Sequence, residues 1–271
     1  MENIQQQFSG DWALILGASS GFGEAAALEL ARVGFNIAGV HLDRRSTLPN
    51  VERIVQSIQA EGREALFFNV NAADSSKRHE VIETLEKKFK ESPPQPLLRV
   101  FLHSLAFGTL KPYIAPKAGE AITDSQMGMT LDVMAHSLVY WVQDLMSSQL
   151  MGKGSRIFAL TSSGGSRVWP TYGAVSGAKA ALESHIRQLA LELAPFGITA
   201  NAIRAGVTDT PALRKIPGHE RMIKEAQQRN PSGRLTTPLD VAQAMVMLAS
   251  PTAHWVTGNV IGVDGGEDIV G

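Results

Sequence analysis

Seven short apolar runs, spaced by stretches with helical periodicity, govern what this chain can fold into. The runs are Trp12–Leu16, Asn36–Val40, Ala65–Val70, Leu98–Leu102, Arg156–Leu160, Thr199–Ile203 and Val260–Val263. The helical stretches are Phe22–Arg32, Val51–Ala60, Lys77–Phe89, Leu131–Leu150, Tyr172–Leu193 and Leu239–Ala249. Parallel strands joined through helices need right-handed crossovers, which place helices on both faces of one sheet. The spacing therefore predicts an α/β chain with a doubly wound, seven-stranded parallel sheet of the Rossmann type.

With 271 residues, 44% of them apolar and 19% charged, the chain is expected to form a single domain over residues 1–271. No repeat or low-complexity tract divides it, and Ser92-Pro93-Pro94-Gln95-Pro96 reads as a stiff loop. The alternation breaks between Pro211 and Arg234, where Pro217, Gly218, Pro231 and Gly233 flank a short amphipathic stretch. An insertion there reads as a substrate lid, spanning about residues 207–234. The net charge of −1 argues against nucleic acid or a membrane surface as partner. Residues 1–10 are polar, and no run is long enough to span a membrane, so a soluble, cytoplasmic protein is expected. The absence of cysteine removes disulfides, thiolate metal sites and thiol nucleophiles together.

One turn carries chemistry. Gly17-Ala18-Ser19-Ser20-Gly21-Phe22-Gly23 follows the first apolar run and opens the first helix. Glycines let a backbone turn tightly and approach a pyrophosphate, and a helix N-terminus offers unpaired N–H groups with partial positive charge. A dinucleotide fits such a turn between strand and helix.

The spacing G-x-x-x-G-x-G resembles that of the short-chain dehydrogenase/reductase family, and the resemblance runs from about residue 11 to residue 266. It implies a nicotinamide ring over the carboxyl ends of the strands. It also implies that cofactor choice is read after the second strand, at His41-Leu42-Asp43-Arg44-Arg45. Two arginines clamp a 2′-phosphate well, so Arg44 and Arg45 favour NADPH over NADH, while Asp43 is an acid that suits the 2′-hydroxyl of NADH. Asn69 and Val70 fall where the family frames the adenine.

The family's ordinary tyrosine and lysine are separated by three residues. Here Tyr172 and Lys179 are separated by six, and Val175 holds the usual tyrosine position. Seven positions are nearly two full turns, so Tyr172 stays on roughly the lysine's face, further along the helix. This spacing resembles the enoyl-acyl-carrier-protein reductases. So does His103-Ser104-Leu105-Ala106-Phe107-Gly108 after the fourth strand, whose Ser104, Leu105 and Ala106 backbone is expected to line the nicotinamide ribose. The asparagine of ordinary members is replaced near Met134. Ser162, at the end of the fifth strand, stands where ordinary members keep a catalytic serine, which most resembles the NADPH-dependent, serine-bearing branch of these reductases.

The resemblance implies that Lys179 holds the ribose hydroxyls and that Tyr172 donates a hydrogen bond to the thioester oxygen as an enolate forms. It implies that Gly206, Val207, Thr208 and Thr210 hold the carboxamide and pyrophosphate, with the Val207 backbone on the carboxamide, and that the last strand, ending Val263-Asp264-Gly265-Gly266, packs subunits into a homotetramer or homodimer. The expected substrate is an enoyl thioester on acyl carrier protein or coenzyme A. A carbonyl, hydroxysteroid or 3-oxoacyl oxidoreductase is the alternative on the same scaffold, and a dinucleotide-binding regulator without turnover is a third. His79, His136, His185, His219 and His254 show no metal-ligand spacing, and no metal is expected. Trp169 is the best candidate for a pocket wall, and Arg214, Lys215, Arg221 and Lys224 form a basic stretch that suits either solvent or an acidic carrier protein.

Overall fold

The computed structural model describes Phe8, residues 10–117 and residues 119–270. Most of the polar N-terminal segment therefore lies outside the described residues. The sheet has seven strands: β1 Trp12–Leu16, β2 Asn36–His41, β3 Ala65–Asn69, β4 Leu98–His103, β5 Arg156–Ser162, β6 Thr199–Ala205 and β7 Val260–Val263. Their order is β3-β2-β1-β4-β5-β6-β7, and every pairing is parallel. The doubly wound sheet read from the sequence is the fold observed.

Eight helices are described: α1 Gly21–Arg32, α2 Leu48–Ala60, α3 Ser75–Lys90, α4 Asp124–Leu131, α5 Ser137–Ser147, α6 Gly173–Leu193, α7 His219–Arg229 and α8 Pro238–Ala249. The central strands are apolar throughout because both faces are covered. One core layer joins Leu14, Phe101 and Ile157 to Leu85 of α3, Leu138 and Trp141 of α5, and Leu182 of α6. The other joins Ile15, Val100 and Phe158 to Leu30 of α1, Ile54 of α2 and Val241 of α8.

Local chemistry sets the helix starts. The Asp74 carboxylate caps α3, and capping boxes at Thr123/Gln126 and Thr237/Asp240 open α4 and α8. The Thr123 box starts the central helix at Asp124, ahead of the expected Leu131. The same helix is interrupted by a π-turn over Asp132–His136 before α5 carries it to Ser147. Such widened turns are rare and gather at functional sites; this one carries Met134. The proposed lid segment holds a 3₁₀ turn at Leu213–Lys215 and then α7. None of the described helices is long and apolar enough to cross a membrane.

Candidate active site

The carboxyl ends of β1, β4, β5 and β6 meet along one edge of the sheet. The Gly17 N–H donates to the Val40 carbonyl at 2.8 Å and the Ser104 N–H to the Leu16 carbonyl at 3.0 Å, closing the crevice where strand order reverses. Gly17 has φ +84°, and a Cβ there would lie 2.4 Å from the Ser104 carbonyl oxygen. A Cβ on Gly23 would lie 2.0 Å from the Gly17 carbonyl. Only glycine fits at either position. Ser20 caps α1 in an extended conformation without a side-chain hydrogen bond, so its hydroxyl does not satisfy the N–H groups of the first turn. Thr210, from the loop after β6, places its methyl 3.4 Å from a Cβ built on Gly21. Helix start, glycine turn and Thr210 thus frame one space, a cradle of the kind an anionic pyrophosphate fits. Ala18 is fully buried, and the Ser19 carbonyl accepts from Asn50 Nδ2 at 2.8 Å.

After β2 the side chains separate into inward and outward groups. His41 is buried, and its Nδ1 lies 2.9 Å from Asp43 Oδ2. The Asn69 amide spends both ends on the Asp43 backbone, accepting from its N–H at 2.9 Å and donating to its carbonyl at 3.0 Å. Asn69 is thus a clamp on the β2 loop, whereas the sequence suggested an adenine contact for its amide. Burial raises the Asp43 carboxyl, but hydrogen bonds from Ser19, Thr47 and His41 outweigh it and hold the group below its ordinary pKa. Arg44 and Arg45 are exposed, and neither forms a salt bridge within the described residues. Val70 is half-buried and donates its N–H to the His41 carbonyl at 2.8 Å.

Beyond β4, His103 is fully buried, with Nε2 2.9 Å from Ser137 Oγ. Burial and then the Lys179 charge push the imidazole down to about 3, so it is neutral. Ser104 and Leu105 are half-buried along the crevice, while Ala106 and Phe107 face outward.

Tyr172 is the N-cap of α6, one residue before the helix proper. Its ring lies against the turn after β5, with Cε1 2.5 Å from a Cβ built on Gly164, and its hydroxyl bonds to Ser162. Burial raises the phenol, so it is protonated at neutral pH. Ser162 Oγ accepts the Gly164 N–H at 3.1 Å. Lys179 is buried, and its Nζ donates to the Leu160 carbonyl at 2.5 Å. Burial pulls the ammonium down to about 8 against the opposing pull of Glu183. Tyr172, Ser162 and Lys179 thus gather at the end of β5. Val175 and Met134 are buried and close on Gly108, whose added Cβ would lie 2.9 Å from an atom of each.

Past β6, Gly206 has no room for a side chain, since a Cβ would lie 2.4 Å from Thr236 Oγ1. Thr208 and Thr210 are buried. The Val207 N–H is already bound, donating at 3.0 Å to Oε2 of Glu267, whose Oε1 pairs with Arg229 of α7 at 3.0 Å. That N–H is therefore bound within the protein, which leaves the Val207 carbonyl as the backbone group on this residue for a carboxamide. Trp169 donates Nε1 to the Pro217 carbonyl at 3.1 Å and stacks beneath Arg221, joining the loop after β5 to α7 and the residues before it. Arg221 and Arg214 are taken up by Glu225 and Asp209, leaving less free positive charge there than the sequence implied.

Residues 17–267 match the family profile described as enoyl-(acyl carrier protein) reductase. The chain belongs to this family of short-chain dehydrogenase/reductases. It is 30% identical to a 1-cyclohexenylcarbonyl-CoA reductase of Streptomyces collinus, over 95% of this chain and 87% of that one. The structure of the NADH-dependent enoyl-[acyl-carrier-protein] reductase of Aquifex aeolicus superposes with a TM-score of 0.83 at 26% identity, covering 97% of this chain and 98% of that chain. An angucycline C-6 ketoreductase, LanV, with bound NADP superposes with a TM-score of 0.82 at 25% identity, with 97% of each chain covered.

Within this reductase family frame, two acids missed in the sequence stand out, Glu267 and Glu183. Glu267 ties the loop after β6 to α7, and Glu183 accepts from Thr161 Oγ1 at 2.7 Å beside Lys179. Glu183 carries a readable signal, since it follows Lys179 by one helical turn. Glu267 carries none, because its partners come from β6 and α7. A cavity of about 550 Å³ lies at the opposite edge of the sheet, beside Arg156 and Trp255, away from all of these groups. Among the described residues no group of three or more His, Cys, Asp or Glu is placed to hold a metal ion.

Proposed function

We propose that this oxidoreductase reduces the carbon–carbon double bond of an enoyl thioester, carried on acyl carrier protein or coenzyme A, with NADPH as hydride donor. The observation that carries this reading is the set-back phenol. Tyr172 lies at the start of α6 beside Ser162, while the ordinary acid position holds Val175.

The cofactor cradle is assigned to Gly17, Ser19, Ser20, Gly21, Phe22 and Gly23, with Thr210 opposite. Ser104, Leu105 and Ala106 line the ribose, Arg44 and Arg45 meet the 2′-phosphate, and the loop at Gly206 and Thr208 borders the carboxamide. A bound reduced nicotinamide supplies the hydride. Lys179 binds the ribose hydroxyls, and its charge favours negative charge developing nearby. Tyr172, protonated and desolvated, donates to the thioester oxygen as the electrons of the double bond move onto it. Ser162 orients that hydroxyl. Preorganised donors of this kind are worth roughly a hundred- to thousand-fold in rate. The segment at about 207–234 covers the acyl chain, with Trp169 holding it through Pro217. The whole chain acts as one domain, and copies associate through β7 at the sheet edge into a dimer or tetramer.

Two observations favour second readings. Ser162 beside Tyr172 also suits a ketone, as the likeness to a ketoreductase agrees. The fixed carboxylate of Asp43 suits a ribose 2′-hydroxyl and hence NADH. Steady-state oxidation of NADPH with crotonyl-CoA and with acetoacetyl-CoA tests the reading. Turnover of the enoyl thioester, reduced roughly a hundredfold or more in Tyr172→Phe with dinucleotide affinity retained, supports it. Turnover of the 3-oxo substrate alone refutes it.

A further inference from the structure

We propose that Glu183 is a positioning residue that keeps Lys179 in its charged form and fastens the end of β5 that carries Ser162. This rests on the reading of Lys179 as the group that binds the nicotinamide ribose. Lys179 and Glu183 are four residues apart on α6, so they share a face. The Glu183 carboxylate is turned toward β5, where Oε1 accepts from Thr161 Oγ1 at 2.7 Å. The same oxygen would lie 3.1 Å from a Cβ built on Gly165, which puts it beneath the Ser163–Gly165 turn. Thr161 is the neighbour of Ser162, so one carboxylate, carried by the helix that sets the lysine, touches the strand that sets the serine.

Electrostatics give this placement a purpose. Lys179 is buried, and its hydrogen-bond acceptor is the neutral Leu160 carbonyl. An ammonium in such a place tends to shed its proton. The titratable groups around it are His103 of β4, which burial and the lysine charge keep neutral, Tyr172 at the N-cap of α6, which is a neutral phenol, and Glu183. Only Glu183 favours the ammonium. Among the described residues it has no salt-bridge partner within 4.0 Å, so its charge is not spent on a closer cation. With this opposing pull Lys179 still stands at about 8. Its charge is complete well below that pH and is lost as pH rises through it. Removing the carboxylate moves the loss to lower pH, into the neutral range.

The test measures NADPH affinity from pH 6 to 10 by fluorescence, with enoyl turnover in parallel, for the intact chain and three variants. Glu183→Gln keeps the shape and an acceptor for Thr161 but removes the charge. Its loss of binding is expected to begin about one pH unit lower, giving roughly fivefold weaker affinity at pH 8 and little change at pH 6. Glu183→Ala gives the same displacement should the glutamine variant fold poorly. Thr161→Val removes the hydrogen bond and keeps the charge; it lowers kcat at every pH and leaves the alkaline limb in place. Coincident limbs in the intact chain and both neutral variants overturn the proposal, as does the absence of any limb below pH 10. Because binding is read separately from turnover, a protein that binds NADPH but reduces no enoyl thioester refutes the proposed function and still reports on Glu183.

Discussion

Met134 Sδ and Val175 Cγ2 each lie 2.9 Å from the point where a Cβ on Gly108 would stand. These are the two positions where the sequence resemblance places the asparagine and tyrosine of ordinary family members. Here they are apolar, buried and closed over a glycine. Restoring a tyrosine at the ordinary position therefore overpacks the site. Val175→Tyr is expected to lower stability by roughly 1–3 kcal/mol in urea denaturation, and to leave a Tyr172→Phe variant as slow as before. Recovery of enoyl turnover in the double variant would contradict this.

Cofactor choice divides between Asp43 and the two exposed arginines. Arg44→Ala/Arg45→Ala is expected to weaken NADPH roughly a hundredfold or more, by loss of charge-assisted hydrogen bonds worth about 1.5–3 kcal/mol each, with little effect on NADH. Asp43→Asn relieves repulsion and strengthens NADPH. The ratio of kcat/KM for the two dinucleotides checks both; a wild-type preference for NADH assigns the ribose to Asp43.

Thr171, next to Tyr172, has φ +63°, and its buried hydroxyl has no hydrogen-bond partner. A β-branched residue is strained in that region, where asparagine and glycine are tolerated. Such strain costs roughly 1–3 kcal/mol. Thr171→Asn is therefore expected to raise unfolding free energy by about 1 kcal/mol, read from the urea midpoint at unchanged m-value. A stability loss would show that the threonine geometry is favoured by its surroundings.

His103 sets an acid limit. Its folded pKa, about 3, lies below the ordinary 6.5, so the unfolded chain binds a proton in that window that the folded chain does not. Stability falls as pH drops from 6.5 toward 3, by roughly 2–3 kcal/mol at pH 4.5. His103→Gln is expected to flatten that part of the stability–pH curve. An identical acid slope in both proteins would place the loss on other groups.

The strands and the glycine turn were legible in the sequence because period and local sterics dictate them. Gly17 and Gly23 announce themselves, since no side chain fits there. Tyr172 and Lys179 were singled out by the family spacing they resemble, and helical geometry puts them on roughly one face. What escaped depends on contacts across the chain. The π-turn at Asp132–His136 leaves no mark in residue types, and Asn69 binds backbone that its position in sequence does not reveal. The acceptor of the Val207 N–H, Glu267, escaped because it is 60 residues away and reaches that loop only through the fold.

The most direct test of the account is a competition. The protein is given equal crotonyl-CoA and acetoacetyl-CoA with NADPH deuterated at the transferable position, and the products are weighed by mass spectrometry. The account predicts deuterium chiefly in butyryl-CoA. Deuterium chiefly in 3-hydroxybutyryl-CoA would contradict it.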